Sequence, residues 1–189
     1  SEPNFARTWW PCKDVPSDKA TIALNVSVPT NLIAVSNGTL SGTSRDGSST
    51  TYRWETRYPI ATYLVAVAAA KYREFSEVYT APGGRQMKIS YYVFPDDFEK
   101  AKTDFADTKE MLKFLSETFC EYPFIDEKFG FAEVVGNLTM ENQTVCTIQD
   151  LLITGTKQYK LTLLHEVAHH WWGNLITPSS WNHTWLNEG

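Results

Sequence analysis

Apolar and polar residues alternate over the first part of residues 20–28 (ATIALNVSV), the period of a half-buried strand. Residues 50–56, 62–70 and 86–94 read as further strands. Ser36-Asn37-Gly38 and Gly83-Gly84 are turn signals, and the Gly- and Ser-rich residues 42–49 read as a polar loop. The period then changes. Phe98, Ala101, Phe105, Thr108, Leu112, Leu115 and Phe119 step by three and four, which predicts one face of an amphipathic helix. Pro95-Asp96-Asp97 opens that helix with capping chemistry, and Pro123 closes the region. Short strands are expected at 129–135 and 145–148. A second helical pattern runs over 158–175, with Leu161, Leu164, Ala168, Trp172 and Leu175 on one side. The fold class expected is α+β, with a mostly antiparallel β portion over 1–95 and a second portion over 96–189.

Composition changes this picture little. Apolar residues make up 42% of the 189 and charged residues 21%, ordinary for a globular chain able to bury a core. The net charge of −5, with no Lys/Arg cluster, argues against nucleic acid and anionic membranes as partners. The longest apolar run, residues 64–70, is too short to cross a bilayer, and no signal peptide is expected at Ser1. Cys12, Cys120 and Cys146 are widely spaced, form no CxxC pattern, and are expected to be buried thiols. Compartment and oligomeric state are not legible.

The chemistry concentrates near the end of the chain, in His165-Glu166-Val167-Ala168-His169. On a helix, positions i and i+4 lie about 40° apart around the axis and about 6 Å along it, so His165 and His169 can converge on one ion. Zinc suits imidazole nitrogen. Glu166, one position after the first histidine, falls beside the ion and can take a proton from water. A catalytic zinc ordinarily has three protein ligands. Glu188, eighteen residues beyond the motif, can supply the third if Pro178-Ser179-Ser180 breaks the chain and a second helix packs back. The competing reading is that both histidines are ordinary helix residues. His170 and His183 have no partner at ligand spacing and are read as structural.

These residues resemble a known family. HEVAHHWWGNLIT followed by TWLNEG is similar to the signature of the M1 zinc aminopeptidases, or gluzincins. Upstream, Thr139-Met140-Glu141-Asn142 resembles the family's Gly-x-Met-Glu-Asn exopeptidase motif. Glu2-Pro3, Ala6-Arg7, Trp10 through Asp14, Ser17 through Ala20 and Ala61 through Ala66 resemble stretches of its N-terminal β domain. The resemblance implies the end of that β domain over 1–95 and the start of a thermolysin-like zinc-peptidase domain over 96–189. It implies one zinc per chain held by His165, His169 and Glu188, with Glu166 as general base. Glu141 would bind the free α-amine of a peptide, and Thr139, Met140 and Asn142 would lie along the substrate. An aminopeptidase must count one residue from the N-terminus, and a carboxylate at a fixed distance from the metal sets that register. Leu138 stands where the family's motif has glycine, which narrows the expected approach of the substrate backbone.

The implied function is a zinc-dependent aminopeptidase. The chain is expected to be incomplete at both ends and nearly inactive alone, because the family's transition-state tyrosine lies downstream of the motif. Two alternatives stand beside it: a thermolysin-type zinc endopeptidase, which needs no amine anchor, and a non-catalytic scaffold or binding module.

Overall fold

The structure, a computed structural model, describes residues 5–188; Glu2, Pro3 and Gly189, quoted above, lie outside the described residues. The first portion is built from five strands: β1 (Ala23–Pro29), β2 (Ile33–Ser36), β3 (Thr39–Asp46), β4 (Ser49–Glu55) and β5 (Val67–Ala70). They form an antiparallel sheet in the order β1-β4-β3 and an antiparallel pair, β2-β5. In β1 every second residue is half-buried, as its alternation predicts. Gly38 makes the turn from β2 to β3 at φ +76, and a Cβ there would lie 2.1 Å from the Glu55 carbonyl oxygen, so only glycine fits.

The second portion centres on a four-stranded sheet in the order β6-β7-β8-β9, from β6 (Arg73–Thr80), β7 (Gln86–Val93), β8 (Lys128–Val134) and β9 (Cys146–Gln149). β6 and β7 pair antiparallel, whereas β7-β8 and β8-β9 are parallel. The helices α1 (Phe98–Asp104) and α2 (Thr108–Thr118) make the crossover from β7 to β8. With α3 (Lys160–Ala168) they cover one face of the sheet, burying Ile89, Tyr91, Phe105, Leu112, Phe131, Ile148, Val167 and Trp171 in one core. A last short helix, α4 (Trp185–Glu188), follows.

Several details differ from the sequence reading. Sheet pairing runs across residue 95: β6 and β7 belong with β8 and β9, so the change of period at 95 marks strands giving way to helices inside one packed unit. The polar residues 42–49 are mostly strand β3, whose side chains are nearly all exposed, so no hydrophobic alternation marks it. The helical stripe from Phe98 is two helices. Asp104 at the break turns its carboxylate to the backbone N–H groups of Thr154, Gly155 and Lys157 (2.7, 2.7 and 2.6 Å), anchoring the approach to α3. The stripe expected to be buried on the last helix includes Leu161, Trp172 and Leu175, which are exposed; the face packed on the core carries Leu163, Val167 and Trp171. Of the three free cysteines only Cys146 is buried, while Cys120 is exposed.

The two portions meet in a polar seam. Lys128 Nζ donates to the carbonyls of Ser36 (2.8 Å) and Gly38 (2.6 Å) and lies 4.6 Å from the centre of the Trp54 ring. Asn37 Nδ2 donates to the carbonyls of Leu64 and Gln143, and Thr144 Oγ1 accepts from Gly38 N–H. No helix among the described residues is long and apolar enough to cross a membrane.

Candidate metal centre

The α3 helix ends at Ala168, and the chain folds back at once: Asn174 N–H donates to the His169 carbonyl (2.9 Å), with Gly173 at φ +122. This places His165 and His169 one turn apart at the helix end, their ring centroids 4.3 Å apart and their Nε2 atoms 2.9 Å apart. After a 3-10 turn at Trp181–His183, started by Ser180 Oγ accepting from Asn182 N–H, α4 returns to this end. Glu188 then lies with its carboxylate oxygens 3.5 Å from His165 Nε2 and 3.6 Å from His169 Nε2.

These three groups suit a zinc ion. The edges of a tetrahedron around zinc with bonds of 2.0–2.1 Å measure about 3.3 Å, close to the separations found. His169 Nδ1–H donates to the Trp172 carbonyl at 3.0 Å, which fixes the tautomer and leaves the Nε2 lone pair available to a metal. Burial pulls the His165 pKa down, with His169 as the second cause, so the neutral, ligating form is favoured.

Glu166 is buried beside His169. Ligand atoms of Glu141, Glu166 and His169 lie within 4.8 Å of one another, as do those of His165, His169 and Glu188. A cavity of about 310 Å³ opens here, lined by Thr139, Met140, Glu141, His165, Glu166, His169 and Glu188. Glu141 reaches it from the loop between β8 and β9, where Met140 and Thr147 exchange backbone hydrogen bonds. Burial first, and Glu188 after it, push the Glu141 pKa up to about 7, and its Oε1 has no hydrogen-bond partner. Such a carboxyl is ready for a cation to enter beside it.

Not every expected substrate residue lies here. Thr139 and Met140 line the cavity, but Asn142 spends its side chain on the Leu64 carbonyl and the Thr147 hydroxyl. Leu138 faces a second, larger and mostly apolar cavity of about 360 Å³, with Trp9, Val67 and Val135, on the far side of Met140. His170, read as structural, is fully buried; its Nε2 accepts from Thr144 N–H at 3.1 Å, and burial drops its pKa to about 3. His183 is exposed.

Sequence reasoning missed the groups that steady the site. Asn174 Nδ2 donates to the Glu141 carbonyl (2.8 Å), tying the β8–β9 loop to the turn after α3. Lys19, from the first portion, donates to the carbonyls of Asn174 (2.7 Å) and Leu175 (3.1 Å). Asn174 sits five residues after His169, yet nothing local in its sequence marks the contact.

Comparison with known proteins shows the family. The Peptidase family M1 domain matches residues 103–189, and the Peptidase M1 N-terminal domain matches residues 1–64. Leucine aminopeptidase 2 of Ajellomyces capsulatus is 32% identical over 190 residues, spanning 97% of this chain and 29% of that protein. Leucine aminopeptidase 2 of Saccharomyces cerevisiae is 32% identical over 97% of this chain and 26% of that protein. The chain thus spans less than a third of these curated relatives. The M1 zinc metallopeptidase of Deinococcus radiodurans superposes on all of this chain with a TM-score of 0.85 at 28% identity, over 42% of its own length. A variant of that enzyme was solved with the peptide Tyr-Ser-Ala bound, and superposes with a TM-score of 0.81 at 27% identity.

Proposed function

This chain belongs to peptidase family M1, and from that premise we propose that the whole protein is a zinc-dependent aminopeptidase that releases the N-terminal residue of peptides. His165, His169 and Glu188 would hold the metal. One observation carries the exopeptidase part: the buried Glu141 carboxyl, with an oxygen lacking a partner, shares the cavity of the His₂Glu triangle. The ammonium of a peptide N-terminus would restore the charge that burial disfavours there, and would place the first peptide carbonyl at the triangle.

When bound, zinc supplies Lewis acidity toward water and the scissile carbonyl. Glu166 takes the proton of the attacking water and hands it to the leaving amine. Its buried position beside His169 keeps it close to both. Glu141 holds the ammonium throughout, with its backbone steadied by Asn174. Thr139 and Met140, which line the cavity, would flank the substrate. The proposed division of the chain is a β portion followed by the start of the catalytic portion, with the boundary moved to the step between β5 and β6. The chain alone is expected to turn over little or nothing, because no hydroxyl among the cavity-lining residues other than Thr139 stands ready to hold a developing oxyanion.

The test uses the whole protein and one peptide in two forms, with a free N-terminus and N-acetylated, with and without a chelator. Chelator-sensitive cleavage of the free-amine form alone is the expected result. Equal cleavage of both forms would make the protein an endopeptidase. No cleavage and no zinc in the purified protein would favour a non-catalytic scaffold.

A further inference from the structure

The third ligand is recruited from α4, and a residue of the first portion stands between it and the end of α3. Tyr63, on a 3-10 turn at Thr62–Leu64, is 1% exposed. Its hydroxyl donates to the Gly173 carbonyl at 3.4 Å and accepts from Asn187 Nδ2 at 3.2 Å. Gly173 closes the turn after His169, and Asn187 immediately precedes Glu188. One hydroxyl therefore spans the two ligand-bearing segments.

A Cβ built on Gly173 would lie 3.4 Å from His169 Nδ1 and 3.5 Å from Asn187 Nδ2, so the ligand ring and the α4 amide both flank this glycine. The Tyr63 ring meets the Trp181 ring edge-on at 5.0 Å, which holds the approach to α4 from the same side. Lys19 fixes the next two carbonyls of the turn. The ligand separations thus depend on a brace that contains no ligand.

We propose that Tyr63 is a positioning residue: its hydroxyl sets the separation of Glu188 from His169 and thereby the affinity of the site for zinc. This rests on the metal-centre reading above. Groups that orient metal ligands from behind typically contribute 10–100-fold in metal affinity or activity.

The experiment is a zinc competition titration of the metal-free whole protein against a chromophoric chelator, for wild type, Tyr63→Phe, Asn187→Ala and the double variant. Tyr58→Phe is the control, since its hydroxyl donates to Asp126 and neither residue lines the cavity. Thermal unfolding of each metal-free protein runs in parallel. Tyr63→Phe and Asn187→Ala are each expected to raise the zinc Kd about 10–100-fold. The double variant is expected to be no worse than the weaker single, because both remove the same brace. Tyr58→Phe and the melting temperatures of the metal-free proteins are expected to stay near wild type. Unchanged zinc affinity in Tyr63→Phe would overturn the inference. So would a loss matched by Tyr58→Phe, or one that tracks a general loss of stability. If Tyr63→Phe does not fold, Asn187→Ala, which keeps the ring, decides alone: wild-type affinity overturns the inference. A wild type without zinc affinity would overturn the metal centre and this inference together, whereas tight wild-type binding with Tyr63→Phe unchanged would overturn only the latter.

Discussion

Glu141, in the candidate metal centre, and Glu133, at the corner where β8 meets the start of α1, are two buried glutamates in similar electrostatic trouble. Burial pushes each carboxyl up to about 7, and each keeps one oxygen without a hydrogen-bond partner. Their surroundings differ. Glu133 Oε2 accepts from Phe94 N–H at 2.6 Å, and Asp97 and Asp150 crowd it with like charge. It lines neither the metal cavity nor its larger neighbour. Glu141 opens into a cavity with Glu166 and His169 within 4.8 Å. A raised pKa therefore reports burial, and only the space beside the carboxyl and the groups across that space distinguish an amine site from a structural corner.

The sharpest way to break this contrast is to change the chemistry on one side of it. Glu166→Gln is expected to lower kcat on a free-amine peptide by about 10²–10⁴-fold, the usual contribution of a general base, with the zinc content unchanged by elemental analysis. Glu141→Ala comes next, with a loss of about 100-fold in kcat/KM on the free-amine peptide from removal of a charge-assisted pair. Because it also removes a buried carboxyl with one oxygen unpartnered, its melting temperature is expected to hold or rise, the reverse of an ordinary core truncation. A fall in stability with intact activity would assign Glu141 to structure instead.

A third buried ion sharpens the comparison from the opposite direction. Lys128 is fully buried, which pulls its pKa down to about 7, yet the Ser36 and Gly38 carbonyls face it. Lys128→Met leaves those oxygens unpaired and is expected to cost about 2–4 kcal/mol in urea unfolding. The smallest effect is expected at Glu133. Its folded pKa of about 7 lies above the ordinary 4.5, so its contribution to stability is complete below pH 4.5 and is lost as the pH rises through 7. Glu133→Gln is expected to flatten that decline by about 1 kcal/mol, while kcat stays at wild type.

The legible parts of this chain were those whose signal is local and periodic. The alternation in β1 and the steps from Phe98 through Leu115 were read with the correct buried faces. Strand β3 was not, because its side chains face water on both sides and leave nothing for a hydrophobic period to record. The face of α3 was misassigned for a related reason: the helix has apolar residues on more than one side, and only the sheet and α2 decide which side is covered. Phe119, the last residue of the α2 stripe, is likewise exposed.

The candidate site divides along the same line. The spacing of His165 and His169 places both imidazoles on one helix face whatever the rest of the chain does, because the helix pitch is a local property. The placement of Glu166 beside the ion follows from the same geometry. The need for a third ligand made Glu188 a candidate and resemblance to known motifs added Glu141, but their convergence needed α4 to return across eighteen residues and the β8–β9 loop to meet the turn after α3. The sequence alone thus determined which chemistry was available and which pair of ligands had to coincide. Only the tertiary structure decided that Glu188 and Glu141 reach that pair, that Asn142 does not, that Tyr63 and Lys19 brace the assembly from the β portion, and that Lys128 ties β8 back to that portion. Those contacts join residues as much as 156 positions apart, and no local period or short spacing encodes a meeting at such a distance.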